Sequence, residues 1–200
     1  MTALAQPLRD IYLNHHHTYL LKENLRFELA FGEEMDYIPR VERAKIRAHC
    51  LFQEIFKNTD TIQLIFVLYE KTFPSHISKY LHRNSFKIID SFSSDAWNDE
   101  DELNPVTLLV VETEQSNLRL NKLIDGICYQ DFFDYGKLKI KNPIIFYHKK
   151  DNVILNIYDD RGCDIWSDNF SYQKNLYHTY YSWLLDYDLN SMTKFYQDKL

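Results

Sequence analysis

The stretch that decides the fold is Val153-Ile154-Leu155-Asn156-Ile157-Tyr158-Asp159-Asp160-Arg161-Gly162-Cys163-Asp164-Ile165. Its first half is apolar on both alternating faces, which predicts a strand that is covered on both sides or nearly so. Asp and Gly then supply turn chemistry, because an Asp side chain accepts nearby backbone N–H groups and Gly tolerates positive φ. A short apolar run leaves the turn. The stretch therefore predicts a β-hairpin with a three-residue loop and with Gly162 at its left-handed position.

The turn gathers acidic side chains and one guanidinium beside Tyr158, and these charges have two interpretations. In the structural interpretation, the Arg neutralises a neighbouring carboxylate, and the carboxylates accept backbone N–H bonds. In the functional interpretation, the carboxylates act as a general base or hold a metal, and the Arg binds an anionic substrate. The spacing fails the calcium-loop pattern, so we expect no metal. The candidate residues of the turn are Asp159, Asp160, Arg161 and Asp164.

Hydrophobic patterning along the rest of the chain predicts an α+β fold. Alternating or continuous apolar runs predict strands near 25–31, 62–69, 86–89, 106–111, 144–148, 153–158 and 163–166. Apolar residues three and four apart predict helices from Pro39 to about 57 and near 76–83, 117–128 and 176–187. We expect a mixed sheet of about six strands, with helices packed on it and an antiparallel meander formed by the last three strands.

The length of 200 residues fits one globular domain. We expect an N-terminal helical segment over 1–24, a core over 25–188 and a C-terminal helix over 189–200. The adjacent histidines His15, His16 and His17 would point in different directions from a helix, so they predict a solvated run rather than a zinc site.

Composition limits the classes of function. The net charge of −6 argues against nucleic-acid binding and favours a basic partner. The odd number of widely spaced cysteines, three in all, indicates buried thiols in a reducing cytosol. The sequence has no signal-peptide pattern and no apolar run long enough to span a membrane, so we expect a cytoplasmic protein without membrane contact.

Two further charged features lie outside the turn. Arg40, Arg43 and Arg47 form a basic stripe on the polar face of a predicted helix, which we interpret as a solvated face, with an anion or acidic-partner site as the alternative. Residues 93–104 lack periodicity and predict an exposed acidic loop. Its candidate contact residues are Asp99, Glu100, Asp101 and Glu102.

The chain resembles an uncharacterised bacterial family, a domain of unknown function. The resemblance rests on the Tyr-Asp-Asp-Arg-Gly-Cys-Asp motif at 158–164 and the Trp-Leu-Leu-Asp-Tyr-Asp string at 183–188. Two shorter pieces, Arg26-Phe27-Glu28-Leu29 and Gln130-Asp131-Phe132, are also similar. Leu189 departs from the basic residue that the family has after Tyr-Asp. The resemblance implies a fold and a bacterial setting, but no activity.

The sequence contains no phosphate-binding, dinucleotide-binding, zinc-protease or nucleophile-elbow motif, and we expect no cofactor. These absences favour a non-enzymatic binding protein, such as an immunity protein that neutralises a basic, nuclease-type toxin. The acidic loop and the charged turn would then be its contacts. One alternative is an enzyme that uses the Asp-Asp-Arg-Gly turn for acid–base chemistry or anion binding, and another is a scaffold or regulatory subunit.

Overall fold

The computed structural model describes residues 24–30, 37–69, 77–82, 85–94, 106–132, 140 and 142–197. Within these residues, seven strands form one sheet in the order β1-β7-β6-β5-β2-β4-β3, and every neighbouring pair is antiparallel. The strands are β1 (Leu25–Glu28), β2 (Thr61–Leu68), β3 (Phe86–Ser94), β4 (Val106–Glu114), β5 (Ile144–His148), β6 (Val153–Ile157) and β7 (Gly162–Ser167).

Helices flank the sheet. The α-helices are α1 (Tyr37–Phe56), α2 (Ile77–Tyr80), α3 (Leu120–Cys128), α4 (Phe170–Thr179) and α5 (Leu189–Gln197). Short 3-10 helices lie at Gln115–Asn117, Tyr181–Trp183 and Asp186–Asp188. The predicted helical segment over 1–24 lies outside the described residues except for Asn24, as do the three histidines.

The predicted α+β class is confirmed, and β5, β6 and β7 form the predicted antiparallel meander. The sheet differs from the expected mixed sheet of about six strands, because its seven strands pair only antiparallel. The strands β1 and β2 point the same way and are joined through α1. However, β7, β6 and β5 lie between them, so the two parallel strands never become neighbours.

The predicted helix over 176–187 is wrong at both ends. The helix α4 already begins at Phe170, because the Asn169 side chain caps it by accepting the backbone N–H of Tyr172 at 3.0 Å. It stops at Thr179, and extended backbone at Leu184 forms a β-bridge with Phe27 of β1. The apolar spacing of this segment thus reflects packing against a strand edge as well as helical periodicity.

The two faces of the sheet carry separate apolar clusters. The larger cluster includes residues of α1, α3, α4 and α5. The smaller cluster lies on the other face and comprises Ile65, Val67, Leu108, Val110, Ile145, Tyr147 and Ile154. On β7, Cys163 and Ile165 point into the larger cluster. Because side chains alternate along a strand, Asp164 between them points to the opposite face.

Candidate functional site

The charged turn joins β6 to β7, as predicted, but Gly162 has a different role from the one expected. It begins β7 and is not in the left-handed region. The described non-glycine residue with positive φ is Asn152, at 49°, in the turn before β6. A Cβ atom on Gly162 would lie 2.7 Å from the Phe27 carbonyl oxygen and 2.9 Å from Cζ of Tyr158. Glycine is therefore needed for close packing between β1 and the Tyr158 ring.

Asp159 organises the turn itself. Its side chain is 2% exposed, and Oδ1 accepts the backbone N–H of Arg161 at 2.7 Å. Oδ2 accepts the Arg161 Nε–H at 2.7 Å and is also bonded by Nη2. This hydrogen-bonded pair raises the pKa of the Arg161 guanidinium. The arrangement matches the structural interpretation, in which Arg161 folds back on a neighbouring carboxylate.

Asp160 points toward the helical side of the sheet. Its carboxylate is 1% exposed, and Oδ2 lies 2.7 Å from Nε of Arg40 in the first turns of α1. Burial raises the pKa of the Asp160 carboxyl above its ordinary value, and the Arg40 guanidinium opposes that rise. A raised carboxyl pKa suits a proton donor, but this carboxyl is out of reach of a substrate in the present conformation.

Asp164 lies on the opposite face of the sheet and pairs with a third arginine. It stands directly across from Arg26 of β1, whose Nε is 3.4 Å from Oδ1 of Asp164. Arg26 also bonds Asp188 from the 3-10 turn near the end of the chain. Burial lowers the pKa of the Arg26 guanidinium, but the charges of Asp164 and Asp188 have the larger combined effect, so the pKa is raised. Burial and the charge of Asp164 raise the pKa of the nearby Tyr158 hydroxyl.

The acids of the turn therefore do not converge on one spot. Each of the three carboxylates lies against a different arginine, of which Arg26 also contacts Asp188, and Asp164 faces away from the other two acids. At most 3% of each of these Asp residues is exposed, whereas the Arg161 side chain is 67% exposed. Within the turn, Arg161 is thus the charged side chain that a partner could touch.

The predicted basic stripe is not a solvated face. Arg43 Nη1 donates to the Ala30 carbonyl at 3.0 Å, and Arg47 Nη1 donates to the Glu28 carbonyl at 2.8 Å. The Arg47 guanidinium also lies 5.0 Å from the centre of the Trp183 ring. These arginines satisfy backbone carbonyls at and just after the end of β1. The spacing of the arginines along α1 could not predict these hydrogen bonds, because the accepting carbonyls belong to a different part of the chain.

The four sequence pieces that carry the family resemblance contact one another near the turn between β6 and β7. Gln130 Nε2 donates to the Tyr158 carbonyl, and Nη2 of Arg161 lies 3.8 Å from Oδ2 of Asp131. The backbone N–H of Leu185 donates to the Arg26 carbonyl at 2.8 Å. Sequence reasoning missed Arg40 and Asp188 as partners of the turn and of β1. No local signal identifies them, because their partners lie far away in the sequence.

Other candidate features are limited by what the structure describes. Asp99, Glu100, Asp101 and Glu102 lie outside the described residues. Among the residues that are described, no group of three or more His, Cys, Asp and Glu side chains is placed to hold a metal ion. No helix in the described part of the chain has the length and apolarity needed to cross a membrane.

A family model described as a domain of unknown function (DUF3885) matches residues 3–188. The chain is also similar to the uncharacterized protein YnaE of Bacillus subtilis (strain 168), with 24% identity over 186 residues. That alignment covers 84% of this chain and 85% of YnaE. No solved structure matches the chain.

Proposed function

The chain belongs to the family described as a domain of unknown function (DUF3885), and we propose that it is a non-enzymatic, cytosolic bacterial protein that binds a basic protein. The proposed partner is a nuclease-type toxin, which this chain would neutralise as an immunity protein. Such a toxin carries a basic surface for nucleic-acid phosphates, and carboxylates can mimic those phosphates and steer association.

The distribution of paired and unpaired carboxylates supports this proposal. The buried acids of the turn are each balanced by an arginine, so they supply little field to the surroundings. Other carboxylates are exposed and form no ion pair with any residue that the structure describes, so their charge is available at the surface of this acidic chain, whose net charge is −6. These exposed acids are Asp60, Glu114, Asp168 and Asp186. A partner with a basic surface would gain from these carboxylates, most strongly at low salt.

The enzyme alternative depends on Asp160, whose raised pKa and contact with Arg40 suit acid–base chemistry. A local opening of the turn would be needed to expose it. Asp160→Asn separates the alternatives: an enzyme would lose its reaction, whereas a binding protein would keep its partner affinity provided that the variant folds.

The direct test uses the product of the gene next to the one that encodes this chain. We expect that product to arrest growth when expressed alone, and co-expression of this chain to restore growth. Isothermal titration calorimetry of the two purified proteins should then give a complex whose affinity falls as salt rises. An isosteric triple variant, Asp60→Asn, Glu114→Gln and Asp186→Asn, should bind more weakly. Persistent toxicity together with the absence of a complex would refute the proposal.

A further inference from the structure

Tyr187 is the most exposed of the large apolar or aromatic side chains that the structure describes. Its side chain is 89% exposed, compared with 68% for Ile46 and 54% for Tyr37. It lies in the 3-10 turn Asp186–Asp188, and among the described residues its side chain has no ring contact or hydrogen bond. Because aromatic side chains gain free energy on leaving water, burial of this ring against a partner would favour binding.

The backbone beneath Tyr187 is firmly held. The N–H of Leu185 donates to the Arg26 carbonyl at 2.8 Å, and the N–H of Asp188 donates to the Leu185 carbonyl at 3.1 Å. The Asp188 carboxylate is bonded by the Arg26 guanidinium. The turn is therefore attached to β1 on both sides of the exposed ring. Because the backbone of this turn is already fixed, little backbone entropy is lost when a partner binds the Tyr187 side chain.

The two residues that flank Tyr187 in its turn, Asp186 and Asp188, are both acidic. Asp186 is exposed, and no described residue forms an ion pair with it. Asp188 is partly exposed and shares the guanidinium of Arg26 with the buried Asp164, so Arg26 offsets only part of the charge of Asp188. An aromatic centre with an acidic rim is complementary to a basic protein surface that contains an apolar pocket.

We infer that Tyr187 anchors the docking surface for the basic partner, with Asp186 as the charge that guides its approach. This inference rests on the proposed function and identifies where that partner binds. The partner contributes a cavity for the tyrosine ring and Lys or Arg side chains at the rim of that cavity. Asp164 on β7 then serves this surface indirectly, because it helps to hold Arg26, which in turn bonds Asp188 beside Tyr187.

The test measures binding of full-length variants to the neighbouring gene product by surface plasmon resonance. Tyr187→Ala should weaken binding about 30-fold, the size of an interface hot spot, while Tyr187→Phe should stay within about threefold of wild type. Asp186→Asn should mainly slow association and reduce its dependence on salt. Ile46→Ala is the control, because it truncates another exposed apolar side chain on α1 and should leave affinity unchanged.

Thermal unfolding of each variant accompanies the binding measurement, and Tyr187→Ala should melt with wild-type stability because its ring is exposed. If wild type binds and Tyr187→Ala weakens binding by less than about tenfold, this surface is wrong while the proposed function stands. If wild type itself does not bind the neighbouring product, the proposed function fails and this surface fails with it.

Discussion

Substitution of Gly162 by alanine tests the packing that joins β1 to the turn. The new Cβ would lie 2.7 Å from the Phe27 carbonyl oxygen, whereas ordinary van der Waals contact begins at 3.4 Å. The carbonyl belongs to a strand paired with β7, so it cannot move without disturbing the register Glu28↔Gly162. Overpacking of this kind costs about 3 kcal/mol at its upper range. Alanine also restricts the unfolded chain by about 0.5–1 kcal/mol, which leaves a net loss of about 2 kcal/mol.

Urea denaturation followed by tryptophan fluorescence measures this loss, and Trp166 in β7 is a local probe. For a chain of this size, the melting temperature should fall by about 4–8 °C. Tyr158→Phe in the Gly162→Ala background removes the hydroxyl contact but leaves the Phe27 contact, so it should recover only part of the loss. Tyr158→Phe alone is the control. If Gly162→Ala is as stable as wild type within about 0.5 kcal/mol, the close-packing explanation is refuted.

Three further predictions concern stability and chemical reactivity. Arg26→Leu removes the guanidinium from the buried Asp164 carboxylate and should lower the free energy of unfolding by about 3 kcal/mol. Arg26→Lys should lose less, and an unchanged urea midpoint for Arg26→Leu would contradict the prediction. Burial lowers the pKa of the His148 imidazole, so the unfolded chain takes up more protons below its ordinary pKa of 6.5. Stability should therefore decline as pH falls below 6.5, and the wild-type slope should exceed that of His148→Leu. In native protein, iodoacetamide should modify at most the partly exposed Cys50, because the other two cysteines are buried and burial raises the pKa of their thiols. Mass spectrometry locates the modified residues, and rapid modification of the two buried cysteines would contradict the packing.

Local periodicity was sufficient for most of the fold. The uninterrupted apolar pattern of β2 and the spacing along α1 both reflect burial, and both elements lie where they were predicted. The edge strand β3 runs to Ser94, beyond the predicted 86–89, because its polar residues pair through their backbone with β4. Side-chain patterns do not report such backbone pairing.

The candidate site was less predictable, because the partners of its charges lie far apart in the sequence. The proximity of Asp159 and Arg161 could be foreseen from a spacing of two residues in a turn. The pairing of Asp160 with Arg40 depends on how α1 crosses the sheet. The separation of Asp164 from the other acids required only strand alternation, once β7 was known to begin at Gly162.

The pairing of β1 with β7 also affects how the chain is made. Leu25 lies opposite Ile165, so about 140 residues must be synthesised between the two halves of that contact. At elongation rates of about 5–20 residues per second, β1 leaves the ribosome roughly 7–28 s before its partner. Leu25 and Phe27, both fully buried in the finished molecule, remain without that partner for this whole interval. We therefore expect the nascent chain to bind a holding chaperone. It is most prone to aggregation until Leu185, whose N–H donates to the Arg26 carbonyl of β1, has left the ribosome.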